Sequence, residues 1–288
     1  MWFLFAITSA LLSATAAILE KKELFKSDAL HFSFILALFN AVLSLPFLIN
    51  EPLASISTAN YIVIGIKSFL GSISFLLVMM SIKRMELSSA LPLLVLTPAV
   101  VAVFAWLFLN EPLTQTEISG MALLLIGTYF LQTGSWKGAL QPIRSAKYNK
   151  GYAYIAGAIA IFSLTSLLDK LILGSYKVSP ETYMPLQHIF MALFFSIMVL
   201  FARKKKPVKK AFAQSWKLIL LISVITIAYR YSHIWAIKTG AVALALSVKR
   251  TSVFFAALIG GTIFKETNIP YKAVAVAIMV AGAIFVLL

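Results

Sequence analysis

Apolar runs of roughly 18–25 residues recur along the whole chain, each long enough to cross a hydrocarbon core of about 30 Å. No other feature restricts the fold as much. Of the 288 residues, 61% are hydrophobic and 12% charged, against about 45–50% and about 25% in soluble domains. The expected spans are 2–19, 30–49, 59–81, 87–109, 117–134, 152–173, 182–202, 217–236, 240–264 and 270–288. The chain therefore reads as an all-α polytopic membrane protein with ten transmembrane helices. The run 2–19 has no basic leader and many spans follow it, so it reads as the first helix rather than a signal peptide. There is no Cys, which excludes disulfide and thiol chemistry and leaves the redox compartment undetermined.

The chain carries an internal repeat. A shift of 155 aligns Ile82-Lys83 with Ile237-Lys238, Ala90-Leu91 with Ala245-Leu246, Glu111 with Glu266, Gly127 with Gly282 and Phe130 with Phe285. A shift of 149 aligns Leu19-Glu20-Lys21 with Leu168-Asp169-Lys170. Two five-helix units result, 1–134 and 152–288, joined by a loop at 135–151. Five is odd, so the second unit enters the membrane from the opposite side. Inverted repeats of this kind place a substrate site near the midplane and support alternating access.

The net charge of +15 sits mostly in short loops, where membrane topology places it, so nucleic acid is not an expected partner. Lys21, Lys22, Lys26, Lys83, Arg84, Lys137, Arg144, Lys147, Lys150, the run 203–210, Lys217, Lys265 and Lys272 collect on one side, against Lys170, Lys177 and Lys238 on the other. The positive-inside rule puts the first set in the cytoplasm and both termini outside, in the cytoplasmic (inner) membrane.

Four of the 25 basic residues remain, Lys67, Arg230, Lys249 and Arg250, all well inside expected helices. A charge at the bilayer centre costs about 2.5–3.5 kcal/mol on insertion scales, so each requires a reason. The ten acidic residues fall in loops or near helix ends, so the interior reads as cationic without carboxylates at the same depth. In the eighth helix Ser223, Thr226, Arg230 and His233 share a face, and in the third Lys67, Gly71 and Ser74 do. Lys249 and Arg250 lie roughly 100° apart and can border one opening. Guanidinium offers a bidentate fork to phosphate or carboxylate, and ammonium a point charge. The structural alternative stays open: Lys67 can snorkel, Arg230 can bind helix-end carbonyls, and Asp169 or Glu20 can bend inward to Lys249 or Arg250.

His188 and His233 are candidate proton-coupling residues, with a buried, hydrogen-bonded role as the alternative. Asn40, Gln187, Tyr229 and Tyr231 can orient a ligand or join helices. Glu20-Lys21 and Asp169-Lys170 form either interfacial ion pairs or a gate between the halves. The glycines at 120, 127, 260 and 261 read as close helix contacts. No paired carboxylates, metal cluster or activated nucleophile is present, so neither an enzyme nor a cofactor or metal is expected.

The ten helices in two halves resemble the drug/metabolite transporter superfamily and its EamA-type members. The turns Glu111-Pro112 and Glu266-Thr267, the acidic-Lys pairs and the segment Ser247-Val248-Lys249-Arg250-Thr251-Ser252 carry that resemblance. The Lys249-Arg250 pair is also similar to one in triose-phosphate/phosphate translocators of that superfamily. The resemblance implies that the pair binds an anion, with Arg230 and Tyr231 as helpers. Together the readings give a secondary transporter of small organic metabolites, bearing phosphate or carboxylate, bound at Lys249, Arg250, Arg230, Lys67, Tyr231 and His233. Export of amino acids or neutral metabolites is the alternative, and a lipid flippase is a further one. The expected partners are a small-molecule substrate and the bilayer, with a homodimer left open.

Overall fold

The computed structural model describes residues 2–49, 51, 53, 56–109, 114–133, 149–202, 208–239 and 242–287, with some side chains in these ranges, including those of Lys170 and Arg250, outside the description. The helices are α1 (Trp2–Leu24), α2 (Ala29–Ser44, extended by a 3₁₀ turn Leu45–Leu48) and α3 (Thr58–Arg84). α4 comprises Leu87–Leu93, a 3₁₀ turn Leu94–Leu96 and Thr97–Leu109, and α5 is Gln115–Thr133. α6 (Lys150–Lys170) ends in a π turn Leu171–Ser175, and α7 (Pro180–Leu200) and α8 (Val208–Thr239) follow. α9 comprises Val242–Phe255, a π turn Ala256–Gly260 and Gly261–Ile263, and α10 is Ile269–Leu287.

Local chemistry sets the helix starts. Ser57 accepts from the Asn60 N–H, Asp28 from Leu30 and Ser179 from Thr182, with Pro180 at the first helical position. Pro92 interrupts α4, because it has no N–H to donate and its ring collides with the preceding turn. Among the described residues, six helices are long and apolar enough to cross a membrane unbroken. Two boundaries differ from expectation. α1 continues to Leu24, past 19, because a following lysine finds carbonyl partners on α3. α8 begins at Val208, inside the expected loop before 217, since a helix leaving the bilayer can carry its charged residues into water.

The principal pairings are α1 with α8, α3 with α6, α2 with α7, α5 with α10, α2 with α8, α3 with α7, α1 with α9 and α4 with α6. Exchanging each label for the one five away maps these pairings onto one another. The α1–α8 seam is built of small residues: Ala6, Ser9 and Ala10 are fully buried, as is Ala236, and the Ser9 hydroxyl donates to Tyr229 O at 2.8 Å. Large apolar side chains such as Leu4, Leu11, Ile62, Leu125 and Leu193 face outward, as lipid contact requires.

α5 and α10 touch backbone to backbone. A Cβ on Gly120 would lie 2.6 Å from Gly282 O, and one on Gly127 would lie 3.0 Å from Ala275 O. Residues 275 and 282 are 155 beyond 120 and 127, so each contact is the repeat image of the other. Gly120→Ala is therefore expected to cost about 1–3 kcal/mol by overpacking, read as a lowered melting temperature in detergent. Unchanged melting would mean that the two helices separate freely.

Candidate functional site

Lys67, Gln187, His188, Arg230 and Lys249 all lie roughly 10–14 Å along their helices from the face at which α1 begins, at 1.5 Å per residue. Four helices thus bring polar groups to one depth. Lys67 is 5% exposed, and its Nζ pairs with Asp169 Oδ1 at 3.0 Å. The Tyr183 hydroxyl donates to the same oxygen, and Lys67 Nζ lies 5.0 Å from the centre of that tyrosine's ring. Arg230 sits within electrostatic reach of Lys67, Tyr183, His188 and Tyr229. Its Nη1 donates to Gln187 Oε1 at a long 3.5 Å. Among the described residues Arg230 Nε and His188 Nε2 find no hydrogen-bond partner although both atoms are buried. Lys249 Nζ lies 5.9 Å from the Tyr229 ring centre. One turn from Lys67, Gly71 is buried, yet a Cβ there would meet no described atom within 4 Å. The third helix therefore turns a small-residue surface toward open space.

The polar stripe expected on α8 faces inward: Ser223 is fully buried and donates to Asn40 Oδ1 at 2.5 Å, and Thr226 is 5% exposed. His233 follows Arg230 by three residues on that face and is half-buried. Tyr231 is placed elsewhere. It stacks against Phe47 and Trp235, with Phe5 beyond, in an aromatic cluster rather than beside Arg230. Arg250 follows Lys249 in α9 by its backbone, and its side chain lies outside the described residues, as does that of Lys170.

The expectation of an interior without matching carboxylates requires correction at Asp169. Near the end of α6, this acid reaches across to Lys67. Glu20 is 8% exposed, within electrostatic reach of Tyr229, so a second carboxylate is buried in α1. Lys21 points away from it and donates to Ile82 O at 2.5 Å and Met85 O at 2.6 Å, capping the negative end of α3. Among the described residues no ion pair joins Glu20 to Lys21. Nothing in the sequence around Tyr183 marks it as a site residue, although the Ser179-Pro180-Glu181-Thr182 start of α7 fixes where it falls.

At the opposite face a second polar network ties the start of α4 to the turn between α9 and α10. α9 ends in a Schellman motif, with Lys265 at φ 54° and the Glu266 N–H bonded to Gly261 O at 2.8 Å. That turn aims the Glu266 carboxylate at the start of α4, where it accepts from Leu87 N at 2.6 Å, Ser88 N at 2.9 Å and the Ser88 hydroxyl. Glu86 accepts from Lys272 Nζ, Thr267 N and the Thr267 hydroxyl, and Lys272 also donates to Ser88 at 3.0 Å. Burial by itself would raise the Glu86 carboxyl, but the hydrogen bonds from Lys272 and Thr267 and the lysine charge outweigh it and hold it below its ordinary value of 4.5. A lowered folded-state value contributes stability above the ordinary value, and that stability fades as pH falls through the lowered one. Melting temperature is thus expected to drop below about pH 4.5, and Glu86→Gln to flatten that drop. An identical acid limb in the variant would exclude Glu86 as its source.

This bundle defines a multi-pass membrane protein with a polar interior. The model of the EamA-like transporter family matches residues 1–133 and 149–288, and the chain belongs to that family. It is accordingly a membrane transporter of small molecules. No curated protein matches it in sequence. One solved crystal structure aligns with a TM-score of 0.64 at 18% identity, covering 99% of this chain and 95% of the other, a likeness of fold alone.

Proposed function

We propose that the protein carries a small organic anion, bearing phosphate or carboxylate, by alternating access between two inverted five-helix halves. The observation that carries this reading is the half-buried Arg230 side chain, whose Nε is itself buried. Its Nε has no partner among the described residues, and its contact to Gln187 is long. A guanidinium with one buried N–H unanswered inside a membrane is costly unless a ligand completes it. Lys67 and Lys249 stand at the same depth, and the Lys249-Arg250 order supports a phosphate or carboxylate as that ligand. The repeat-related helix pairings and the paired Gly120–Gly282 and Gly127–Ala275 contacts support inverted halves. The network of Glu266, Glu86 and Lys272 supports a state closed on the basic face, which the positive-inside rule assigns to the cytoplasm, leaving both termini outside.

A zwitterion is the second reading, favoured by Asp169, whose side chain is 39% exposed beside Lys67 and could receive an ammonium group. Uptake into proteoliposomes separates the two, with anionic, zwitterionic and neutral metabolites presented in turn. Anions alone are expected to be carried. Gly71→Leu, which meets no described atom at its Cβ, is expected to fold normally and to reduce uptake at least about tenfold by filling the path. Unimpaired uptake by that variant would place the path away from α3.

A further inference from the structure

We propose that Asp169 is the resident counter-ion of the substrate site: its carboxylate holds Lys67 in the empty transporter, and an incoming anion takes its place. The inference rests on the anion reading above and adds a residue that sets apparent affinity and transport mode.

Lys67 is 5% exposed and lies in the membrane interior, where an ammonium without an anion is strongly disfavoured. Asp169 is its ion-pair partner among the described residues. The hold on that acid is one-sided. Lys67 Nζ and the Tyr183 hydroxyl both engage Oδ1, while the side chain remains 39% exposed. The carboxylate can therefore leave toward water, whereas Lys67 cannot. Arg230, within electrostatic reach of Lys67 and Tyr183, keeps a buried N–H with no described partner. Asp169 thus neutralises one cation and leaves its neighbour with one N–H that no described group answers. A diffusible anion with two or more oxygens can serve both.

The repeat strengthens the assignment. Glu20 is the counterpart of Asp169 at the shift of 149, but the counterpart of Lys67 at the shift of 155 is Ile222. Among the described residues the ion pair therefore occurs at one of the two repeat-related seams, α3–α6, and not at α1–α8. A pair required merely to join the first and third helices across the halves would be expected in both.

Displacement has two consequences. While Asp169 occupies Lys67, the competent fraction of sites is reduced and apparent affinity falls in proportion. With the acid removed, an empty site carries an uncompensated charge, so its return across the membrane becomes costly while exchange of one anion for another continues.

The test uses purified full-length protein and two probe anions, inorganic phosphate and malonate, at constant ionic strength. In thermal-shift titrations Asp169→Asn is expected to reach half its maximal stabilisation at about one tenth of the wild-type concentration, the ratio for a site masked nine-tenths of the time. In liposomes the variant is expected to exchange the anion but to lose net efflux into anion-free buffer. Tyr183→Phe, which loosens the acid without removing it, is expected to move the midpoint about two- to threefold the same way, and carries the test if Asp169→Asn does not remain monodisperse. A wild-type response with an unchanged or raised midpoint in the variants overturns the counter-ion role alone. Absence of any response in every form overturns the anion reading and this inference with it.

Discussion

Arg230→Ala is expected to leave the protein folded and to reduce uptake of the anionic substrate at least about 100-fold. The two halves of that expectation have separate causes. The side chain is lightly held in the fold: it reaches the Tyr229 hydroxyl, its bond to Gln187 is stretched to 3.5 Å, and its Nε has no partner among the described residues. Replacing it removes a partly buried charge together with two weak contacts, so melting temperature should change little. Its contribution to ligand is two charge-assisted hydrogen bonds of about 1.5–3 kcal/mol each, and about 1.4 kcal/mol is a factor of ten. Arg230→Lys keeps the charge and loses the fork, so it is expected to retain only part of the activity. Initial rates in proteoliposomes, alongside chromatographic monodispersity, provide the readout. Normal uptake by Arg230→Ala would remove this residue from the site.

Glu266→Ala is expected to act in the opposite sense, on stability first. The carboxylate satisfies the first two N–H groups of α4 from the far end of α9, at 2.6 and 2.9 Å, and also takes the Ser88 hydroxyl. Glu86, at the N-cap of that helix, makes no side-chain capping bond to it and is committed to Lys272 and Thr267 instead. Loss of Glu266 leaves two helix-end donors in a partly buried place without a partner, at about 2–4 kcal/mol. A drop in melting temperature on the order of 5–10 °C should follow. Because the same bonds join α4 to the α9–α10 turn at the basic face, the variant should also label faster at a single cysteine placed at Ser88, a test made simple by a chain with no native cysteine. Unchanged melting and labelling would mean that the α9–α10 turn does not lock α4.

Apolar run length was sufficient to read the helices, because a span is a local property. The glycines at 120 and 127 were legible as helix contacts for the same reason, although their partners Gly282 and Ala275 were not. The cations at positions 67, 230 and 249 stood out by their cost, and they do lie at one depth. What periodicity cannot show is which distant group answers a charge. Asp169 and Lys67 are 102 residues apart in sequence, and only the packing of α3 on α6 brings them within 3.0 Å. The same blindness made Glu20-Lys21 read as a pair. Neighbours on a helix point about 100° apart, so Glu20 turns inward while Lys21 reaches the end of α3. By the same geometry Tyr231, named with Arg230 as a helper, turns to the aromatic cluster with Phe47 and Trp235. The role of Glu266 depends on a left-handed Lys265, a conformation that its residue type does not announce.

The most direct measurement is a structure determined with the anion that most raises the melting temperature. Ligand oxygen is expected within hydrogen-bonding distance of Arg230 Nε, with Lys67 or Lys249 as a second contact and the bundle closed at Glu266. An anion bound away from Arg230, or a guanidinium turned to protein groups with the ligand elsewhere, would contradict the account.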